Sequence, residues 1–182
     1  LYEKNIQDIK KEYGKYILMP LNFGYYTEKT LRKLSTIGYL KSSNRILVEK
    51  SEFLFDHFCK LAEMLVKEKK INLIMRPHPT DDIRYVKKLM ARHGVKSELI
   101  HCVDKNDAFP WISAASVLIH NCCTTSLEAA FCGTPVVTFA PSQTSLLLED
   151  QINNLFPVAN SYAEVINELD EYMDTGKIPT NF

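Results

Sequence analysis

Two short runs concentrate the side chains able to do chemistry. Arg76-Pro77-His78-Pro79 sets a guanidinium and an imidazole among prolines that fix φ and restrict the residues before them, so a stiff loop presents both groups. Arginine offers a planar fork of donors suited to phosphate, and histidine can donate to a phosphate oxygen or stabilise a leaving group. The second run is His120-Asn121-Cys122-Cys123-Thr124-Thr125-Ser126-Leu127-Glu128-Ala129. It reads as a strand end running into a helix start, where unpaired N–H groups and the positive dipole end favour an anion. The hydroxyls of Thr124, Thr125 and Ser126 add uncharged donors, and the small Ala129 and Ala130 allow close helix packing. Between Leu73 and Pro141, therefore, the residue types predict an anion site around Arg76, His78 and Thr124/Thr125.

Each of these residues has a purely structural alternative. Arg76 can pair with Asp81 or Asp82 while His78 caps the next helix. Thr124 or Thr125 can be an N-cap, and with the cap at Thr125 the spacing lets Glu128 complete a capping box, which is compatible with anion binding. Glu128 can instead hold ribose hydroxyls as a bidentate acceptor. His120 closes a buried strand and either touches a ligand or fills core, and Asn121 follows it. His57, His93 and His101 read as surface or packing residues, and Cys122 and Cys123 as small apolar loop residues. Asn22-Phe23-Gly24 is a third candidate, since a glycine-containing loop can approach a ligand backbone-first.

The elements that must position these groups follow from hydrophobic patterning. Tyr16 to Phe23 reads as a strand whose pairing Pro20 limits. Thr27 to Thr36 carries a weak helix signal, and Arg45 to Lys69 a long amphipathic one. Ile71 to Met75 has no polar alternation, as expected for a strand covered on both faces. Thr80 caps a helix over Asp81 to His93 that Gly94 stops. A strand (Leu99–Val103), a helix (Asp107–Ala115), a strand (Val117–His120), a helix (Thr125–Phe131), a strand (Val136–Phe139) and a last helix (Tyr162–Met173) complete the rhythm. Residues 174–182 read as loop. Such alternation predicts a Rossmann-like, three-layer α/β/α fold with a parallel sheet and right-handed crossovers, whose ligands sit beyond the strand carboxyl ends.

Composition narrows the function classes. The chain has 182 residues, with 22 Lys plus Arg against 22 Asp plus Glu, so no global basic field exists to hold nucleic acid. No apolar run is clean enough to cross a bilayer as a helix. Cys59, Cys102, Cys122, Cys123 and Cys132 show no zinc-ligand spacing and no signal peptide precedes them, which predicts a cytoplasmic protein without metal or other cofactor. The chain begins at Leu1, and Asn5 to Tyr13 is polar and helix-like without an apolar partner, so residues 1–15 read as a helical or linker segment before a domain at 16–182. The whole reads as a C-terminal excerpt of something larger.

Arg76-Pro77-His78-Pro79, Trp111-Ile112, the run from His120 to Ala129 and Gly133-Thr134-Pro135-Val136-Val137 together resemble bacterial surface carbohydrate biosynthesis proteins. That group is similar to the C-terminal, nucleotide-binding half of the two-domain glycosyltransferase B fold, and to glycerophosphotransferases and Kdo and sialic acid transferases with a His-Pro motif. The resemblance implies a nucleotide-activated sugar or CDP-alditol donor, with His78 and Thr124/Thr125 on its phosphate. Arg76, His78 and the helix dipole then stabilise the departing nucleotide; from the residues themselves, and not from the resemblance, Pro79, His120, Asn121, Ser126, Glu128, Asn22 and Gly24 complete the candidate donor site. The resemblance also implies that the glycan acceptor site and the catalytic base belong to an N-terminal domain lacking from this chain; peripheral association of the full-length protein at the inner face of the membrane is a separate expectation. Two other classes compete: a half of a nucleotide-sugar 2-epimerase, which shares the architecture and a helix-start phosphate seat followed by Glu, and a non-catalytic nucleotide-binding module.

Overall fold

The computed structural model describes residues 2–22, 42–79, 81–105, 107–141 and 152–175. Thr80, Phe23, Gly24, the helix expected over Thr27 to Thr36 and the tail 176–182 lie outside them. In chain order the elements are α1 (Glu3–Tyr13), β1 (Tyr16–Leu21), α2 (Ser42–Lys69), β2 (Asn72–Pro77), α3 (Ile83–Arg92), β3 (Ile100–Cys102), α4 (Ala108–Ala114), β4 (Val117–His120), α5 (Thr125–Phe131), β5 (Val136–Phe139), β6 (Val158–Ala159) and α6 (Tyr162–Thr175).

The strands form one sheet in the order β3-β2-β1-β4-β5-β6, with every neighbouring pair parallel. The Rossmann-like, three-layer arrangement expected from the sequence is what the chain adopts. Alternate residues of each strand feed opposite cores, as period-two geometry requires. Ile17, Met19, Leu73, Met75, Ile119 and Phe139 point to the layer of α2, α3 and α6. Tyr16, Leu18, Ile74 and Leu118 point to that of α1, α4 and α5. Both faces are covered, so β1 and β4 are buried along their whole length and carry no solvent-facing polar side chain. No helix among the described residues is long and apolar enough to cross a membrane.

Several boundaries differ from the expectations for identifiable reasons. Residues 1–15 are not without an apolar partner: Ile9 is buried, and Ile6 and Tyr13 pack with it against the α4 side of the sheet. β2 continues through Arg76 and Pro77, because Pro20 and Leu21 of β1 lie opposite them and extend the ladder. Pro20 limits pairing on one flank only, since β1 pairs with β4 just at Ile17 and Leu18. Helix α3 begins after Asp82, whose carboxylate accepts from the Arg84 amide at 3.0 Å, so Asp82 is the N-cap and neither aspartate lies in the first turn. Gly94 ends it at φ 85°, a left-handed conformation that glycine adopts without cost. The two-residue β6 is too short for any periodicity to reveal.

An aromatic cluster fastens α1 and α4 to the sheet. Tyr13 lies 5.5 Å from Trp111 by ring centroids, Tyr16 lies 6.3 Å from it, and the buried Tyr16 hydroxyl donates to the Trp111 carbonyl. Tyr16→Phe removes that donor and leaves a buried carbonyl short of a partner. Its expected cost is about 1–2 kcal/mol of unfolding free energy, measured as a lower urea midpoint with an unchanged m value.

Candidate functional site

The strand order reverses between β1 and β4, and a crevice opens beyond their carboxyl ends. Because those strands pair only at Ile17 and Leu18, their ends diverge. Asn22 spans the gap: its side-chain amide donates to the Asn121 carbonyl at 3.1 Å and to the Cys122 carbonyl at 2.8 Å. Two carbonyl acceptors settle which end of the side chain is nitrogen. The opposite atom, Oδ1, is buried and has no hydrogen-bond partner among the described residues. An unmatched acceptor of this kind costs about 1–3 kcal/mol until something donates to it.

Asn22 lines a cleft of about 760 Å³, together with Arg76, His78 and Pro79 from the end of β2 and Thr124, Thr125 and Glu128 from the start of α5. The structure therefore brings both sequence runs to one space. Beyond the Cys122 residue, whose φ of 47° is unusual for a side-chain-bearing residue, the chain turns into α5. The Cys122 amide donates to the Asn153 side chain at 2.7 Å and the Cys123 amide to His120 at 3.3 Å. The next two amides, of Thr124 and Thr125, have no acceptor among the described residues.

Three residues expected to touch ligand instead hold the cleft from behind. His120 is 0% exposed. Its Nδ1 accepts from the Cys123 amide, and its Nε2 sits 3.0 Å from the Thr138 hydroxyl, which itself donates to the Asn153 carbonyl. That chain of donors requires the neutral tautomer with hydrogen on Nε2. Asn121 is also buried and donates to the Phe139 carbonyl at 2.9 Å, joining β4 to β5. The Ser126 hydroxyl is turned inward and donates to the Cys123 carbonyl at 2.6 Å, so it has no proton to offer a ligand.

The expected capping box is absent as well. Thr124, not Thr125, holds the N-cap position, in a helical conformation with no side-chain cap bond, while Thr125 Oγ1 accepts from the Cys123 thiol at 3.2 Å. Glu128 is exposed and its carboxylate lines the cleft. Arg76 lies at the end of β2 with Asp104 and Asp107 as nearby carboxylates. It is 8% exposed, and Nη1 donates to the Lys105 carbonyl at 3.0 Å. Burial lowers its pKa, an effect that the nearby carboxylates of Asp104 and Asp107 oppose. Asp81 closes the proline loop by accepting from the His78 amide at 3.1 Å; burial raises its pKa above the usual carboxylate value, against that bond.

Sequence reasoning missed the contribution of the loop after β3. Asp104 and Asp107 line the cleft, and Asp107 accepts from the Tyr2 hydroxyl at 2.8 Å. The signal was present, because this loop leaves the sheet at the same end as the other two. Among the described residues, four carboxylates, Asp81, Asp104, Asp107 and Glu128, thus share the cleft with one guanidinium, that of Arg76. Among the described residues no group of His, Cys, Asp and Glu side chains could hold a metal ion.

Neither a protein-family model nor a curated protein matches the sequence. Solved structures do match the fold. The S. aureus MnaA–UDP co-structure is similar with a TM-score of 0.54 and 14% identity, over 96% of this chain and 40% of that one. The Methanocaldococcus jannaschii UDP-GlcNAc 2-epimerase in complex with UDP-GlcNAc and UDP gives 0.52 and 11%, over 96% and 43%. The Neisseria meningitidis UDP-GlcNAc 2-epimerase bound to UDP-GlcNAc gives 0.54 and 12%, over 96% and 40%. The chain spans well under half the length of these proteins, and at such identities the likeness is one of fold.

Burial holds His120 neutral by depressing its pKa from 6.5 to about 3. Between those values the unfolded chain binds the extra proton and the folded one does not, so stability falls as pH is lowered through this window. From pH 7 to pH 5 the wild type is expected to lose on the order of 2 kcal/mol more unfolding free energy than His120→Gln, which cannot ionise. Urea titrations of both proteins at the two pH values measure this; equal losses would contradict it.

Proposed function

We propose that the cleft binds a nucleotide-activated sugar or a CDP-alditol, and that this chain is the donor-binding part of a transferase for cell-surface carbohydrate. The observation that carries the reading is the mixture of groups around the space at the β1/β4 switch point. His78 and the Thr124 and Thr125 amides supply donors suited to a diphosphate. Asp104, Asp107 and Glu128 supply carboxylate acceptors suited to hydroxyls. A ligand that is phosphate at its centre and polyhydroxylated on both sides uses both sets. A bare phosphate would meet too much negative charge.

Within this reading His78 and Arg76 have different parts. His78 donates to the diphosphate and stabilises the nucleotide as it departs, which is electrostatic catalysis. Arg76 offsets the charge of Asp104 and Asp107 and fixes their loop through the Lys105 carbonyl. Glu128 holds ribose hydroxyls. The glycan acceptor and the general base would come from a further domain, with the assembled protein working at the inner face of the cell membrane. A second reading, half of a 2-epimerase, is favoured by the names of the similar structures, two of which carry UDP-GlcNAc. Both readings use the same donor contacts and differ in whether the sugar leaves the protein's cleft altered or attached to an acceptor.

Thermal unfolding in the presence of UDP, CDP, UMP and CMP tests the shared part. A ligand at about a hundred times its Kd adds roughly 2.7 kcal/mol to the folded state, so a binding diphosphate raises Tm measurably. Absence of any shift with all four would remove the donor-site claim. Thr124→Pro should leave Tm unchanged, because φ at Thr124 is −62° and suits the ring, yet delete one amide donor. It is expected to weaken diphosphate binding about tenfold, or about 1.4 kcal/mol, by calorimetry. Incubating the full-length protein with UDP-GlcNAc separates the two readings: a free 2-epimer supports isomerisation, and release of UDP only when a glycan acceptor is added supports transfer.

A further inference from the structure

On the flank of the sheet away from β4, the outer side of β3 ends the sheet without a neighbouring strand among the described residues. The Leu73 amide donates to the Leu99 carbonyl and the Val103 amide to the Met75 carbonyl. By parallel alternation, residues 99, 101 and 103 therefore face β2, while Ile100 and Cys102 turn their backbone groups outward. The Ile100 amide is used locally, donating to the Ser97 carbonyl at 3.2 Å. The two carbonyls and the Cys102 amide remain without a partner among the described residues.

A groove of about 520 Å³ runs along this edge, walled by Met90 of α3 on one side and Tyr13 of α1 on the other. Three lysines surround it: Lys87 on α3, Lys96 before the strand and Lys105 after it. Two of them spring from fixed backbone. The Lys96 and Ser97 amides both donate to the Glu63 carboxylate, and the Lys105 carbonyl accepts from Arg76 and Trp111. Asp104 is the one carboxylate in the lining, and His101 the remaining ionisable group besides Tyr13 and the thiol of Cys102. α3 itself carries Arg84, Lys87, Lys88 and Arg92 and no acid, although the charges of the whole chain cancel.

We propose that β3 receives an acidic, extended segment of a partner protein as a seventh strand, its backbone bonding to Ile100 and Cys102 and its carboxylates meeting Lys87, Lys96 and Lys105. Strand addition is the mode that satisfies a row of outward main-chain groups, and charge complementarity selects the sequence. A second copy of the chain is disfavoured, because its three lysines would face these three. Nucleic acid and anionic lipid could use the lysines but leave the strand's own groups unmet. Lysines at a sheet edge also discourage pairing of any kind, so the proposal requires that they admit an acidic strand while excluding others.

The test uses the full chain and a fluorescein-labelled peptide of alternating Glu and Val, read by anisotropy, with amide hydrogen exchange as a second measurement. Binding is expected, weakening with added salt, together with slower exchange at the Cys102 amide. The variant Lys87→Glu/Lys96→Glu/Lys105→Glu, checked for folding by circular dichroism, should bind roughly tenfold less tightly. A peptide with every backbone nitrogen methylated keeps the charge and should lose binding. No binding by the parent peptide would overturn the proposal and leave the lysines as guards of the edge. Equal binding of the methylated peptide, or unchanged Cys102 exchange, would equally overturn it in favour of charge attraction alone. Vesicles containing phosphatidylserine or a single-stranded oligonucleotide that bound through the same lysines in place of the peptide would reassign the surface.

Discussion

The cleft depends on one side chain that crosses the gap where the sheet changes direction. β1 and β4 share only two paired residues, and past them the backbones part. Asn22 joins the parted ends by donating to two consecutive carbonyls, which fixes the main chain of Asn121 and Cys122 relative to β1. The turn that follows, with its left-handed Cys122 and the Thr124 and Thr125 amides that meet no acceptor among the described residues, is thereby held in register with the proline loop at the end of β2. Aspartate at this position would present oxygens to oxygens, so the amide is chemically required and not merely a polar filler.

Behind this bridge stands a second layer of uncharged hydrogen bonds through His120, Thr138 and Asn153. Every proton in it has a defined place, which is why a histidine can be buried there without charge. The charged residues stay in front, in the cleft, where Arg76 lies among carboxylates. Rigid neutral groups behind and ionised groups in front is a division suited to a site that must recognise both an anion and a set of hydroxyls.

Much of this was legible in the sequence because it rests on local rules. The unbroken apolar run before Arg76, the glycine at 94 and the hydroxyl cluster entering α5 identify strand, stop and turn without tertiary information. What was not legible rests on partners far away in the chain. His120 and Ser126 have the right chemistry for a ligand, and only the positions of Thr138 and the Cys123 carbonyl turn them inward. Asp82 is the cap of α3 in place of the expected Thr80, and the aspartate one residue earlier is taken up by the His78 amide. The role of residues 1–15 was hidden because the apolar face of α1 is carried by few residues, Ile6, Ile9 and Tyr13, and part of its contact runs through the aromatic ring of Tyr13.

The bridge made by Asn22 also has a meaning for how the molecule assembles. It closes a loop of 99 residues, and the framework behind it links residues 120–123 to residue 153. Contacts of such separation are entropically late, since the intervening chain must be ordered or its freedom surrendered before they are rewarded. β1 can pair with β2, and the aromatic cluster can gather, while the turn entering α5 is still unformed. A partly folded chain could then hold most of its sheet and both apolar cores and yet possess no cleft. Ligand occupancy would consequently report completion of the fold more faithfully than any measure of helix or strand content.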